Sequence, residues 1–187
     1  MDLNQEKEMV FRAQRDPEAF GLLFDKYYQE IYGYILKRTI NVQLTEDIVS
    51  ETFFKALNNL KKFKWQAVPF SSWLYRIAIN ELNDHFRVSQ KTSLSLNELQ
   101  ENSGFDIQSE SNLEIELMEK QNELEKHQSF IQMHKKVKEL PDIYQEVIAL
   151  KYFEKKKISE IAEILNKKEG TIKSLLSRGI DKLKELM

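Results

Sequence analysis

The sequence predicts an all-α protein: two small helical domains joined by an acidic flexible linker, the C-terminal one a helix-turn-helix. Three observations predict it. Only five Gly and three Pro interrupt 187 residues. Apolar residues recur at 3.6-residue spacing, with no convincing alternating runs. Charge is divided by segment: residues 1–91 carry 13 Lys and Arg against 12 Asp and Glu, residues 92–130 carry 2 against 9, and residues 131–187 carry 13 against 9. The resulting net charges of +1, −7 and +4 divide the chain into a first domain over 1–91, a linker over 92–130 and a basic second domain over 131–187.

The elements follow in order. In "RDPEAFGLLFDKYYQEIYGYILKR", Asp16 is placed to cap a helix, with Pro17 at its first position and Glu18 in its first turn. Phe20, Phe24, Tyr27, Ile31, Tyr34 and Ile35 then form its buried face. A second helix starts in "TEDIVSETFFKALNNL", where Thr45 can cap and Glu46 and Asp47 suit the positive end of the dipole. The loop "KKFKWQAVPF" follows, and Pro69 leads into "FSSWLYRIAINELNDHFR", which Ser71 or Ser72 can cap. Leu74, Tyr75, Ala78, Ile79, Leu82 and Phe86 share one side of that helix, as a core-packing face requires. Trp73, Arg76, Asn80, Asn83 and Arg87 fall on the other.

Residues 91–110 have a polar, Ser/Asn-rich, acidic linker composition. Helical spacing returns thinly at Leu113, Leu117 and Leu124. The tail gives three short helical patterns: "LPDIYQEVIALKYF", "ISEIAEIL" and "GTIKSLLSRGIDKLKEL". In the last two, Ile161, Ala162, Leu165, Ile172, Leu176, Gly179 and Leu183 can form one small core, with Asn166 as a left-handed C-cap at the turn. This is the size and turn of a helix-turn-helix, whose second helix enters the major groove. Thr171, Ser174, Ser177 and Arg178 point away from that core, flanked by Lys168 and Lys173. Short hydroxyls allow close approach, and cations reach phosphates or guanine edges. An ordinary helical hairpin with a soluble face fits the same pattern.

Composition excludes several function classes. The chain has no Cys, hence no disulfide or thiolate metal site. No apolar run is long enough for a bilayer, and "MDLNQEKEMVFRAQ" lacks an apolar signal core, so the expectation is a cytoplasmic protein without membrane insertion. His85, His127 and His134 are scattered, and neither a Ser/His/Asp set nor a Gly-rich phosphate loop occurs. No catalytic residue, metal or cofactor is expected; the protein is not read as an enzyme. A net charge of −2 does not suit a duplex-coating protein, so nucleic-acid binding must be focused or helped by a partner.

The Trp73 stripe has two readings. Trp73 can pack against the preceding loop, with its Arg and Asn neighbours solvated. Alternatively, Lys61, Lys62, Phe63, Lys64 and Trp65 interleave cations with rings just before it, a mix that suits unpaired bases. The stripe would then hold bases that have left the duplex.

"TEDIVSETFFKAL", "PFSSWLYRIAINELNDHFR", the acidic linker and "LPDIYQEVIALKYFEKKKISEIAEILNKKEGTIKSLLSRGIDKLKEL" together resemble, in order and spacing, the extracytoplasmic-function group of bacterial RNA polymerase sigma factors. The resemblance implies an initiation factor that binds core RNA polymerase through its β′ and β subunits, directs it to promoters and helps melt the DNA. By position it implies that Asp47, Ile48 and Glu51 dock on the β′ coiled coil. It likewise places Lys61, Lys62, Phe63, Lys64, Phe70, Trp73, Arg76 and Asn80 on flipped, single-stranded bases of the minus-ten element. Lys168, Glu169, Thr171, Lys173, Ser174, Ser177 and Arg178 would meet the minus-thirty-five duplex. The linker resembles the segment that family members thread through polymerase channels, and an anti-sigma protein is a further implied partner. Three positions depart from the family pattern: Ser50 stands where Gln is frequent, and Leu175 and Ile180 stand where Arg is common. A stand-alone helix-turn-helix regulator is the competing reading; it would bind duplex operator without polymerase, although no heptad seam long enough for its dimer is visible.

Overall fold

The computed structural model describes residues 3–65, 68–93 and 130–186; the segment with Leu113, Leu117 and Leu124 lies outside them, as does most of the linker. Among the described residues all regular structure is helical. The first helix, α1 (Leu3–Arg15), is not among the expected ones. Its buried side is only Glu6, Val10 and Ala13, too thin an apolar stripe for periodicity to register.

Asp16 caps as expected, its carboxylate accepting the Glu18 N–H at 3.1 Å, but it opens a 3-10 turn (Pro17–Ala19) that runs into α2 (Phe20–Thr39). The expected α2 face is buried except Phe24, which is 36% exposed and sets its ring 4.8 Å from Phe53. Ile40 closes α2 in the left-handed region at φ 51°, an uncommon conformation for a β-branched residue.

The start of α3 (Val42–Asn59) corrects the expectation at Thr45. Asn41 is the cap, accepting from Leu44 N–H at 2.9 Å, and Thr45 lies inside the first turn, fully buried, donating to Asn41 O at 2.6 Å. The start of α4 (Phe70–Ser93) differs similarly. Ser71 and Ser72 are buried, and the acceptor for the Phe70 N–H is the Glu6 carboxylate of α1. The expected apolar face of α4 is the core face: Leu74, Tyr75, Ala78 and Leu82 are fully buried. It packs with Ile31 and Ile35 of α2 and Val49 and Ala56 of α3 in the first helical region.

In the second region, α5 (130–138) precedes α6 (Asp142–Ile148), which continues as one π-helical turn (Ala149–Phe153). Two helices follow, α7 (Ile158–Leu165) and α8 (Glu169–Glu185). Of the expected core residues, Ile161, Ala162, Ile172, Leu176 and Gly179 are buried and Leu165 and Leu183 are half-buried against them, with Ile164, Val147 and Leu150 completing the core. A Cβ on Gly179 would sit 3.3 Å from Ile148 and Tyr144, so glycine is what lets α8 cross α6 closely.

The two regions pack against each other, and polar groups link them. Lys37 of α2 donates to Glu154 Oε1 at 2.9 Å and Phe153 O at 3.2 Å, at the end of the π turn. Tyr75 of α4 donates to Glu154 Oε2 at 3.1 Å, and Lys156 pairs with Glu30 at 2.7 Å.

Candidate nucleic-acid interface

Three surfaces carry the expected site residues. On α3, Asp47 and Glu51 are exposed one turn apart, as a docking face requires. Ile48 is 5% exposed and faces the core beside Val49 and Phe53, so its side chain supports α3 rather than meeting a partner. This corrects its placement among the contact residues. The sequence reading missed Phe54, which is 59% exposed and follows Asp47 by seven residues and Glu51 by three. Its spacing was the available signal. A bare ring among carboxylates is a poor way to meet water and a good anchor for a protein partner.

The second surface joins the loop after α3 to the start of α4. Lys61, Lys62 and Lys64 are exposed, and Phe63, Phe70 and Trp73 gather into one aromatic cluster. Phe63 lies 4.7 Å from Trp73 and edge-on to Phe70 at 5.4 Å; Phe70 and Trp73 are 5.3 Å apart. Phe70 is fully buried and is the floor of this cluster, which corrects its expected role as a base contact. Trp73 and Phe63 are half-buried, so Trp73 does pack against the loop while retaining some exposure. Farther along α4, Asn80 is exposed.

Arg76 differs from its solvated expectation. Its guanidinium donates to Ile164 O at 3.1 Å and Glu163 O at 2.7 Å, at the C-terminal end of α7. Those carbonyls sit in the last turn at the negative end of the helix dipole, where Glu163 O also takes the Asn166 N–H at 3.3 Å, so a guanidinium is well matched to them.

The third surface is α8. Asn166 ends α7 in the left-handed conformation at φ 51° and ψ 50°, and the Lys167 N–H reaches back to Ala162 O at 2.9 Å, as expected of this turn. Lys168, Glu169, Thr171, Lys173, Ser174, Ser177 and Arg178 are all exposed along α8, whereas Leu175 and Ile180 are half-buried. Cations and hydroxyls thus line one face of a helix held by an apolar opposite face. That arrangement can contact phosphates and base edges.

Residues 23–92 match the family described as Sigma-70 region 2, and residues 130–183 match Sigma-70, region 4. The chain is 32% identical over 185 residues to the ECF RNA polymerase sigma factor SigW of Bacillus subtilis, covering 99% of this chain and 97% of that one. The chain belongs to the extracytoplasmic-function RNA polymerase sigma factors. A second relative, the ECF RNA polymerase sigma factor BldN of Streptomyces coelicolor, is 31% identical over 96% of this chain, which spans 65% of BldN's length.

Two solved structures share the fold of this sigma factor. CnrH in complex with the cytosolic domain of CnrY aligns with a TM-score of 0.66 at 19% identity, over 99% of this chain and 97% of that one. The sigma factor RpoE of Bartonella quintana, in complex with the anti-sigma factor NepR, gives 0.61 at 20% identity over 89% and 95%. Sigma factors act in transcription initiation, as polymerase-binding, promoter-recognising proteins rather than enzymes. In this one, α2 to α4 fall in the region 2 match, except the first residues of α2 and the last of α4, and α5 to α8 in the region 4 match except the last residues of α8. No described helix is long and apolar enough to cross a membrane.

Proposed function

We propose that this sigma factor docks on the β′ coiled coil of core RNA polymerase through Asp47, Glu51 and Phe54, with further contact to β. Its α8 residues Lys168, Glu169, Thr171, Lys173, Ser174, Ser177 and Arg178 read the minus-thirty-five duplex. Flipped minus-ten bases are captured beside Phe63 and Trp73, with Lys61, Lys62 and Lys64 along the strand and Arg76 and Asn80 farther down α4. The observation that carries this reading is the Phe63–Trp73 ring pair at 4.7 Å, half-exposed and flanked by three exposed lysines. Rings of this kind stack on bases that have left the helix, while cations follow the backbone. Duplex DNA offers no base face to stack on.

Neither a first domain of net +1 nor a second of net +4 suffices for tight DNA binding alone, because affinity rises with the number of phosphates neutralised. Both gain once polymerase holds them together, through effective concentration. Arg76 has to leave the α7 carbonyls before it reaches DNA, so engagement of the minus-ten element requires α4 and α7 to part. An anti-sigma protein is the expected regulatory partner, a reading supported by the NepR complex of a protein with the same fold.

The test is a gel shift of a promoter library with this protein alone, with core polymerase alone and with both, comparing wild type with Trp73→Ala. Specific retention is expected only with both proteins. Trp73→Ala is expected to spare polymerase binding and impair open-complex formation on duplex DNA, with partial rescue on a pre-melted bubble. Equal loss on both templates refutes base capture, and specific retention by the protein alone supports a stand-alone regulator instead.

A further inference from the structure

The loop that carries the proposed base-capture rings is gripped from outside by two side chains of α1. Where the loop begins, the Gln14 amide donates through Nε2 to Leu60 O at 2.9 Å and Phe63 O at 2.7 Å. Where it ends, the Glu6 carboxylate accepts the buried Phe70 N–H at 3.2 Å. Eight residues separate Glu6 from Gln14, about 12 Å along a helix. A single rod therefore spans both ends of the loop.

We infer that α1 holds the two ends of the minus-ten loop in place, with Glu6 and Gln14 as positioning residues for base capture; the inference rests on the base-capture reading above. The Phe63 carbonyl that Gln14 holds belongs to the residue whose ring lies 4.7 Å from Trp73. Moving that backbone changes the ring spacing and the slot a base would enter. Glu6 is 4% exposed and takes donors from three places: the Tyr27 hydroxyl, Lys26 Nζ at 3.3 Å and the Phe70 N–H. A buried carboxylate requires such partners, and losing it would leave the Phe70 N–H without this acceptor. Phe70 is both the capped residue and the ring floor of the cluster, so the cap and the slot move together. Residues of α1 lie ahead of the region 2 match, which begins at 23.

The experiment uses the full chain bound to core RNA polymerase and a random-sequence single-stranded DNA library, with affinity and recovered base preferences read together. Trp emission is read separately on the free chain, where the two Trp residues, Trp65 and Trp73, lie in this loop and in the first turn of α4 and report on this place. Gln14→Ala is expected to keep polymerase affinity and α8-dependent duplex binding, to shift Trp emission, and to flatten the base preferences. Its library affinity should fall about tenfold, the scale of one lost base stack. Glu6→Ala should behave alike, and Glu6→Gln, which keeps an oxygen acceptor for Phe70, should recover most of the loss.

Wild-type library affinity and preferences in Gln14→Ala, with Trp73→Ala impaired, would overturn the α1 inference and leave base capture standing. An unimpaired Trp73→Ala would remove base capture and this inference with it. Parallel loss of polymerase and duplex binding in Gln14→Ala would make α1 a general stability element and also overturn it. Should Glu6→Ala fail to fold, Gln14→Ala decides the matter.

Discussion

Arg38 and Glu146 form an ion pair at 3.0 Å across the two helical regions, with side chains only 1% and 2% exposed. Around it, the Tyr34 hydroxyl donates to Glu146 Oε2 at 2.6 Å, and Arg38 Nη1 to Gln145 Oε1 at 3.1 Å. Arg38 Nε is buried with no hydrogen-bond partner among the described residues. Burial pushes the Glu146 carboxyl up, with Arg38 pulling the other way. Such a pair offsets its own desolvation only while both partners stay together, which makes it a conditional fastener between the regions.

Glu146→Ala leaves Arg38 buried without its counter-charge. Breaking one side of a buried pair costs about 3–5 kcal/mol, and separating the regions, which returns Arg38 to water, relieves that cost. The expected outcome is a more open molecule, read as a larger radius of gyration in X-ray scattering and lower energy transfer between labels on the two regions. An unchanged distance would show that the apolar contacts alone hold the closure.

Arg76→Ala removes two charge-assisted bonds to the end of α7, a loss of about 1.5–3 kcal/mol for each bond to a charged group in buried settings, and less at this half-buried site. Hydrogen exchange is expected to quicken at the α7 C-terminus, and promoter opening to weaken in the holoenzyme. Faster exchange with normal promoter opening would assign Arg76 to domain packing alone.

His134 supplies a pH dependence. Its Nε2 lies 2.9 Å from Arg38 O, and because a carbonyl only accepts, Nε2 carries the hydrogen and Nδ1 stays bare in the neutral ring. Burial, then the positive charges of Lys138 and Arg38, pull its pKa down to about 4, against the bond to Arg38 O. Between about 6.5 and about 4 the unfolded chain binds a proton that the folded one does not, so stability falls with acidification across that window. Thermal melts of wild type are expected to lose more from pH 7 to pH 5 than those of His134→Gln, which keeps an N–H for Arg38 O. Parallel curves would rule the ring out as the source.

Phe54→Ala changes a side chain that is 59% exposed, so the melting curve should stay within about 0.5 kcal/mol of wild type. Affinity for core polymerase should fall by about 2 kcal/mol if Phe54 anchors the docking face. Titration of labelled protein with core enzyme measures both the direction and the size.

On α8, Lys173→Ala and Arg178→Ala should each lower the slope of promoter affinity against salt by about one. The measurement is holoenzyme binding across a salt series. A slope unchanged in both variants would place phosphate contact elsewhere on the surface.

The sequence alone determined the helices whose apolar periodicity is dense: α2, α4, α7 and α8 lie where their spacing predicts, and Asn166 turns where its left-handed tolerance allows. It also determined which α8 residues face outward, because a narrow core stripe leaves one solvent side. Periodicity carries such information because it depends on neighbours within a turn or two. Only the tertiary structure decided the rest. It buried Ile48 and Phe70, turned Arg76 toward the end of α7, and moved the cap of α4 from the local serines to Glu6, more than sixty residues earlier in the chain. It also paired Arg38 with Glu146. Each of these is a long-range choice between burial and partnership, and a helical pattern reports that a side is apolar without reporting what comes to cover it.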